Sequence, residues 1–205
     1  MENTKTPVTV YAEMTPNPAT MKFVCNKHLL INGENLVFES IEDAKGYSPL
    51  AEVLFNFPFV DSVFMASNFV TITKTDNVDW DFIIMELREF IREWISNEKV
   101  ILTMMPPEKE AGQINKEGST NEHKVYTPSE YDEQITNLLN EYVRPAVERD
   151  GGAIDYIGFE NGVVTVELKG SCAGCPSSTQ TLKGGIEGLL KQNMPDIVTD
   201  VVALM

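Results

Sequence analysis

The chain is poor in cysteine, histidine and positive charge, and each shortage removes a class of function. Only three of its 205 residues are cysteine (Cys25, Cys172 and Cys175) and two are histidine (His28 and His123). An odd, low cysteine count argues against a small secreted fold stapled by disulfides. Sixteen basic residues stand against 31 acidic ones, for a net charge of −15. The deficit is spread: residues 1–104 carry 8 basic and 15 acidic side chains, and residues 126–205 carry 5 and 12. With no basic region hidden by the total, phosphate backbones are repelled and nucleic acid is not an expected partner. No apolar run approaches the roughly 18 residues that span a bilayer, so no membrane is expected either. The start, Met1-Glu2-Asn3-Thr4-Lys5, shows neither an apolar stretch for secretion nor an arginine-rich amphipathic stretch for organelle import. This reading places the protein in a bacterial cytoplasm.

What is present describes an ordinary globular protein, 42% hydrophobic and 23% charged. The length suits one large domain or two small ones. Residues 105–124, MPPEKEAGQINKEGSTNEHK, hold two prolines, two glycines and seven charges, with almost nothing apolar. Such a segment buries too little surface to offset its ordering entropy, and it predicts a flexible linker over 105–125. The expected domains are 1–104 and 126–205.

In the first domain Val8–Glu13 and Met21–Cys25 predict strands, separated by the stiff Thr15-Pro16-Asn17-Pro18. Ser48-Pro49 supplies an N-cap and first-turn proline for a short helix through Phe55. Two strands, Val60–Ala66 and Phe69–Lys74, turn at Ser67-Asn68. A helix over 79–97 follows, with Phe82, Ile83, Leu87, Phe90, Ile91, Trp94 and Ile95 as its core stripe. In the second domain a helix from Thr127-Pro128-Ser129-Glu130 ends at Gly151-Gly152. Strands Ile154–Phe159 and Val163–Leu168 flank Asn161-Gly162, a strong hairpin signal. A helix from Pro176 to Gln192 and a strand from Ile197 to Leu204 complete it. The fold class is α+β, two small α/β-sandwich-like domains ordered ββαββα and αββαβ.

Chemistry concentrates in Gly170-Ser171-Cys172-Ala173-Gly174-Cys175-Pro176-Ser177-Ser178. The glycines permit tight turns, so both sulfurs can face one point. The helix opened by Pro176 directs free N–H groups and its positive dipole end at them, a field that favours thiolates. The residues leave three uses open. A dithiol oxidoreductase has such a pair at a helix start, although a tight hairpin precedes it here and no aromatic residue stands before the first cysteine. A zinc site and a four-iron cluster both need four ligands, so one chain supplies half and two chains supply all. Cys25, on a strand, reads as a small buried hydrophobe; His28 and His123 read as surface residues. Gly184-Gly185 and Gly188 lie inside the last helix and suit either close packing or simple tolerance.

Residues 128–205 resemble the C-terminal domain of the NifU-like, or Nfu, iron–sulfur proteins. The matching words are Arg144-Pro145, Asp150-Gly151-Gly152, the loop from Gly170 through Cys172, Cys175 and Pro176 to Ser177-Ser178, and Thr181-Leu182. The words Thr15-Pro16-Asn17-Pro18, Thr20-Met21-Lys22-Phe23 resemble the Nfu N-terminal domain. The resemblance implies a non-enzymatic scaffold or carrier that binds a [4Fe–4S] cluster, shared between two chains, through Cys172 and Cys175. It implies a homodimer when cluster-bound. It also implies apo iron–sulfur client proteins as recipients and an upstream assembly machinery as the source. The separate catalytic-scaffold and ferredoxin-like domains of full-length NifU are absent from the sequence. The N-terminal domain is expected to dock clients or stabilise the loaded form, and the cluster to lie exposed at the seam between two copies.

Overall fold

The computed structural model describes residues 7–31, 34–107, 126–173 and 176–204. Its first unit runs β1 (Val10–Met14), β2 (Thr20–Cys25), β3 (Asn35–Phe38), α1 (Ile41–Ala44), α2 (Pro49–Leu54), β4 (Val60–Ala66), β5 (Phe69–Lys74) and α3 (Trp80–Ser96). The five strands pair antiparallel in the order β1-β2-β5-β4-β3. Strand β3 and the one-turn α1 are additions to the expected ββαββα order. Four residues are too few to show alternation, yet Leu36 and Phe38 are buried. Ser40 starts α1 by accepting the Asp43 N–H at 3.2 Å. Ser48 caps α2 as its sequence implies, accepting from Ala51 N at 3.2 Å, while its own hydroxyl donates to Ile101 O at 2.7 Å.

Alternation gives the sheet two distinct faces. Met21, Phe23, Val63, Met65, Val70 and Ile72 belong to the core shared with the helices. From α3 that core takes Ile83, Leu87, Ile91, Trp94 and Ile95. Phe82 does not join them; it is 78% exposed. At about 100° per residue, position 82 falls well off the line through 83, 87 and 91, so the stripe is narrower than its apolar residues imply.

The second unit runs α4 (Asp132–Leu138), a π-helical turn (Leu139–Val143), α5 (Arg144–Arg149), β6 (Gly152–Glu160), β7 (Val163–Gly170), α6 (Pro176–Asn193) and β8 (Asp200–Leu204). The αββαβ order stands, with the first helix and last strand starting later than expected. Pro145 has no N–H to donate back along the helix and its ring crowds the preceding turn, which accounts for the widening just before it. β6 and β7 form the expected hairpin, with both turn residues at positive φ, Asn161 at 51° and Gly162 at 82°. β8 joins β7 in parallel. Ile135, Leu139, Val143, Ile154, Leu168 and Ile186 are among the residues of its core.

Of the expected linker only residues 105–107 are described, and His123 also lies outside the described residues. The two units nevertheless touch. Val24, Phe64, Ala66 and Phe69, on the sheet face opposite the helices, form one buried cluster with Ala153 of β6.

Gly185 lies inside α6, and a Cβ there meets nothing within 4 Å. Gly185→Ala should therefore raise stability by roughly 0.5–1 kcal/mol, because alanine has less backbone freedom to lose. Urea unfolding of the apo protein measures this; a loss of stability would reveal packing at that face.

Candidate functional site

Gly170 ends β7 with φ 65°, and the chain turns at once, Ala173 N donating to Gly170 O at 3.1 Å. Cys172 sits in this turn. A second glycine-dependent bend faces it. Gly151 follows α5 with φ 83°, a left-handed helix stop, while Asp150 N and Gly151 N donate to Ala146 O and Glu148 O at 3.1 Å. The two bends are bonded together: Ser171 N donates to Gly151 O at 3.2 Å, and Ser171 Oγ donates to Asp150 O. Thr179 Oγ1, one turn into α6, donates to Cys172 O at 3.3 Å.

Gly152 opposes Gly170 in the β6–β7 ladder, and the space it leaves empty is filled by the cysteine. A Cβ at residue 152 would stand 2.8 Å from Cys172 Sγ and 2.5 Å from Lys169 O. Asp150-Gly151-Gly152 therefore does two things, a helix stop at 151 and a seat for sulfur at 152. The helix stop was legible from the sequence; the seat appears only once the strand register is known.

Cys172 is 5% exposed and packs with the second unit's core. This corrects the expectation of a thiol lying open at a seam: its side chain turns inward onto Gly152. Cys175 lies outside the described residues. Cys25 is 1% exposed on β2, as expected for a small core residue, and burial pushes its thiol up to about 12. His28 is exposed. Lys169, three residues before Cys172, is tied to Asp155 at 2.7 Å and Glu167 at 3.1 Å. Burial works against its charge, but these two carboxylates prevail and its pKa is raised. Among the described residues, no group of three or more His, Cys, Asp or Glu side chains could hold a metal ion. Likewise, no helix among them is long and apolar enough to cross a membrane.

Sequence reasoning passed over three side chains that touch this site from the first unit. Asn17 Nδ2 donates to Ser171 O at 3.3 Å, Thr71 Oγ1 to Gly151 O at 2.8 Å, and Lys22 Nζ to Arg149 O at 3.1 Å. Nothing local in the sequence signals a contact across 154 residues, although Asn17 and Lys22 lie in the words that carried the N-terminal resemblance.

Both units match family models. Residues 10–98 match that of the scaffold protein Nfu/NifU N terminal, and residues 135–202 that of the NifU-like domain. The class so defined is a modular scaffold protein with one domain of each type. A human relative, named "NFU1 iron-sulfur cluster scaffold homolog, mitochondrial", is 34% identical over 190 residues, covering 92% of this chain and 69% of its own. A relative of the same name from Drosophila ananassae is 33% identical over 188 residues, and "NifU-like protein 4, mitochondrial" from Arabidopsis thaliana is 34% identical over 190. This chain spans 62% and 63% of those two. The chain belongs to the Nfu/NifU family of iron–sulfur cluster scaffold proteins.

These relatives are named mitochondrial, which overturns the bacterial cytoplasm expected above. That placement rested on the first few residues, which are no guide to compartment when the relatives are longer than this chain.

The seat at Gly152 can be tested directly. Gly152→Ala should lower unfolding stability by about 1–3 kcal/mol through overpacking against Cys172 and the Lys169 carbonyl. An unchanged urea midpoint would show that the turn yields freely.

Proposed function

We propose that this chain is a non-enzymatic iron–sulfur cluster scaffold and carrier. In this reading it binds a [4Fe–4S] cluster between two copies through Cys172 and Cys175, and passes the cluster to apo iron–sulfur proteins after receiving its contents from an upstream assembly machinery. The observation that carries the reading is the Cys172-x-x-Cys175 pair in the glycine-containing sequence just before α6, inside a domain that matches the NifU-like family. Two thiolates per chain are half of what a four-iron cluster takes, so a second copy completes the set. The N-terminus of α6 adds a favourable dipole for an anionic cargo. Cys25 stands outside the proposed ligand set, because it lies in the core of the first unit, a different cluster from the one that holds Cys172. The names of the relatives support the scaffold role.

Anaerobic reconstitution with iron and sulfide should give about four irons per two chains and convert monomer to dimer on gel filtration. Cys172→Ser and Cys175→Ser should each abolish cluster retention, and Cys25→Ala should keep it. A four-iron monomer without an external thiol would defeat the bridged arrangement.

Delivery has its own test. Loaded protein should restore activity to an apo-[4Fe–4S] enzyme within minutes in the presence of a strong iron chelator. Recovery abolished by the chelator would mean that iron passes through solution, and the carrier role would fall even if the cluster is real.

A further inference from the structure

The N-terminal words Thr15-Pro16-Asn17-Pro18 and Thr20-Met21-Lys22-Phe23 have no part in cluster ligation, yet they pack against the site. Asn17, Lys22 and Thr71 are all buried polar side chains, at 8%, 8% and 1% exposure. Each donates to a backbone carbonyl in the two bends that frame Cys172: Ser171, Arg149 and Gly151 respectively. Asn17 is itself set by its own turn, its side-chain oxygen accepting from Ala19 N at 3.0 Å. Lys22 Nζ also lies 4.5 Å over the Phe69 ring and 3.4 Å from Glu13.

Shape complementarity accompanies these bonds. A Cβ on Gly170 would meet Phe64 Cδ1 at 2.9 Å, and one on Gly151 would meet Thr71 Oγ1 at 3.0 Å. Beside them lies the apolar seam of Val24, Phe64, Ala66, Phe69 and Ala153. Several buried aliphatic and aromatic side chains on one sheet face form a patch that soluble domains seldom leave open. The loop so held contains Ser171 at 2% and Cys172 at 5% exposure.

We propose that the outer face of the N-terminal sheet is a docking surface for the cysteine loop of its own chain, and that docking shelters Cys172 until the loop is released for loading. A thiol that bridges to a second copy must reach an open surface, and Cys172 reaches it only if the segment 170–172 moves. That segment is bonded to Gly151 and Asp150, and the pair is bonded in turn to the first unit. Separation of the two units removes all three side-chain donors at once and leaves the bends held only by their own unit, through Ser171 to Gly151 and Asp150 and through Thr179 to Cys172. Docked and released forms are then two populations, and whatever binds the released form shifts the balance toward it. The link to cluster loading rests on the proposed function; the sheltering of Cys172 does not.

The test uses the full apo chain carrying Cys175→Ser, with iodoacetamide labelling followed at each cysteine by peptide mass analysis. Two variants weaken docking from opposite sides: Asn17→Ala with Thr71→Val, which removes donors, and Ala153→Arg, which wedges the apolar seam without entering either helix-packed core. Each should label Cys172 roughly tenfold faster or more, since labelling follows the released population. Cys25 should stay unlabelled, and Asn17→Ala with Thr71→Ser should return part of the protection. Unchanged labelling of Cys172 in the donor variant, with its circular dichroism intact, overturns the proposal even if Ala153→Arg does not fold. So does parallel labelling of Cys25, which reports global unfolding. No iron is present in these measurements. A chain that never holds a cluster can still pass them, and a chain that holds one can still fail.

Discussion

Cys172 occupies the room that a side chain at position 152 would need, and the architecture of the second unit follows from keeping that room empty. Gly152 opposes Gly170 across the hairpin, so the last rung of the β6–β7 ladder carries no side chains on either strand. The strand leaving it bends at positive φ, which places Cys172 back over the rung rather than beyond it. Gly151 must then stop α5 sharply enough for β6 to begin at the next residue. Three glycines thus serve one sulfur atom. Each is needed for a different reason: a left-handed bend at 151, absent volume at 152, and a left-handed bend against Phe64 at 170.

Sharp bends turn carbonyls away from the regular ladders. Gly151 and Ser171 present theirs in a buried region, where an unmet acceptor costs about 1–3 kcal/mol, and Gly151 O also accepts from Ser171 N; the exposed Arg149 presents the third. The first unit supplies one side-chain donor to each of the three. The apolar seam alone favours contact without fixing its register; the three directed bonds fix it. The interface therefore combines a non-directional attraction with a small set of matched polar groups, the same division of labour found inside a domain core.

Most of this fold was legible in the sequence, and the parts that were not share a cause. The Asn161-Gly162 hairpin, the Ser48 cap, the strands around Ser67-Asn68 and the helices at Trp80 and Pro176 all announce themselves through short-range signals. Strand β3 did not, because four residues carry too little periodicity. Phe82 misled because composition within a helix says nothing about the width of its buried stripe. At the site, the cysteine pair was plain, but the inward turn of Cys172 was not, since it depends on which residue faces Gly170. Asn17, Lys22 and Thr71 were invisible for the same reason: their partners lie 154, 127 and 80 residues away.

A scaffold faces opposed demands on its thiols. Before loading they must resist oxidation, which favours burial, since reaction follows exposure and thiolate character. During loading they must reach metal, which favours the surface. A single rigid loop cannot meet both demands, whereas a loop held by a few replaceable hydrogen bonds can. The bonds that Asn17 and Thr71 make to the bends around Cys172 are of that kind, side chain to backbone and drawn from another unit, beside the bonds that Ser171 and Thr179 make within the second unit. The dipole of α6, at roughly 0.3–1 kcal/mol, is too weak to trap an anionic cargo once it is bound. Retention in the proposed reading then rests on thiolate–iron bonds shared by two copies, and release on an incoming thiolate that replaces them one at a time. In the docking proposed above, the protein's own contribution is to govern when Cys172 is available, through glycine, three donors and one apolar sheet face.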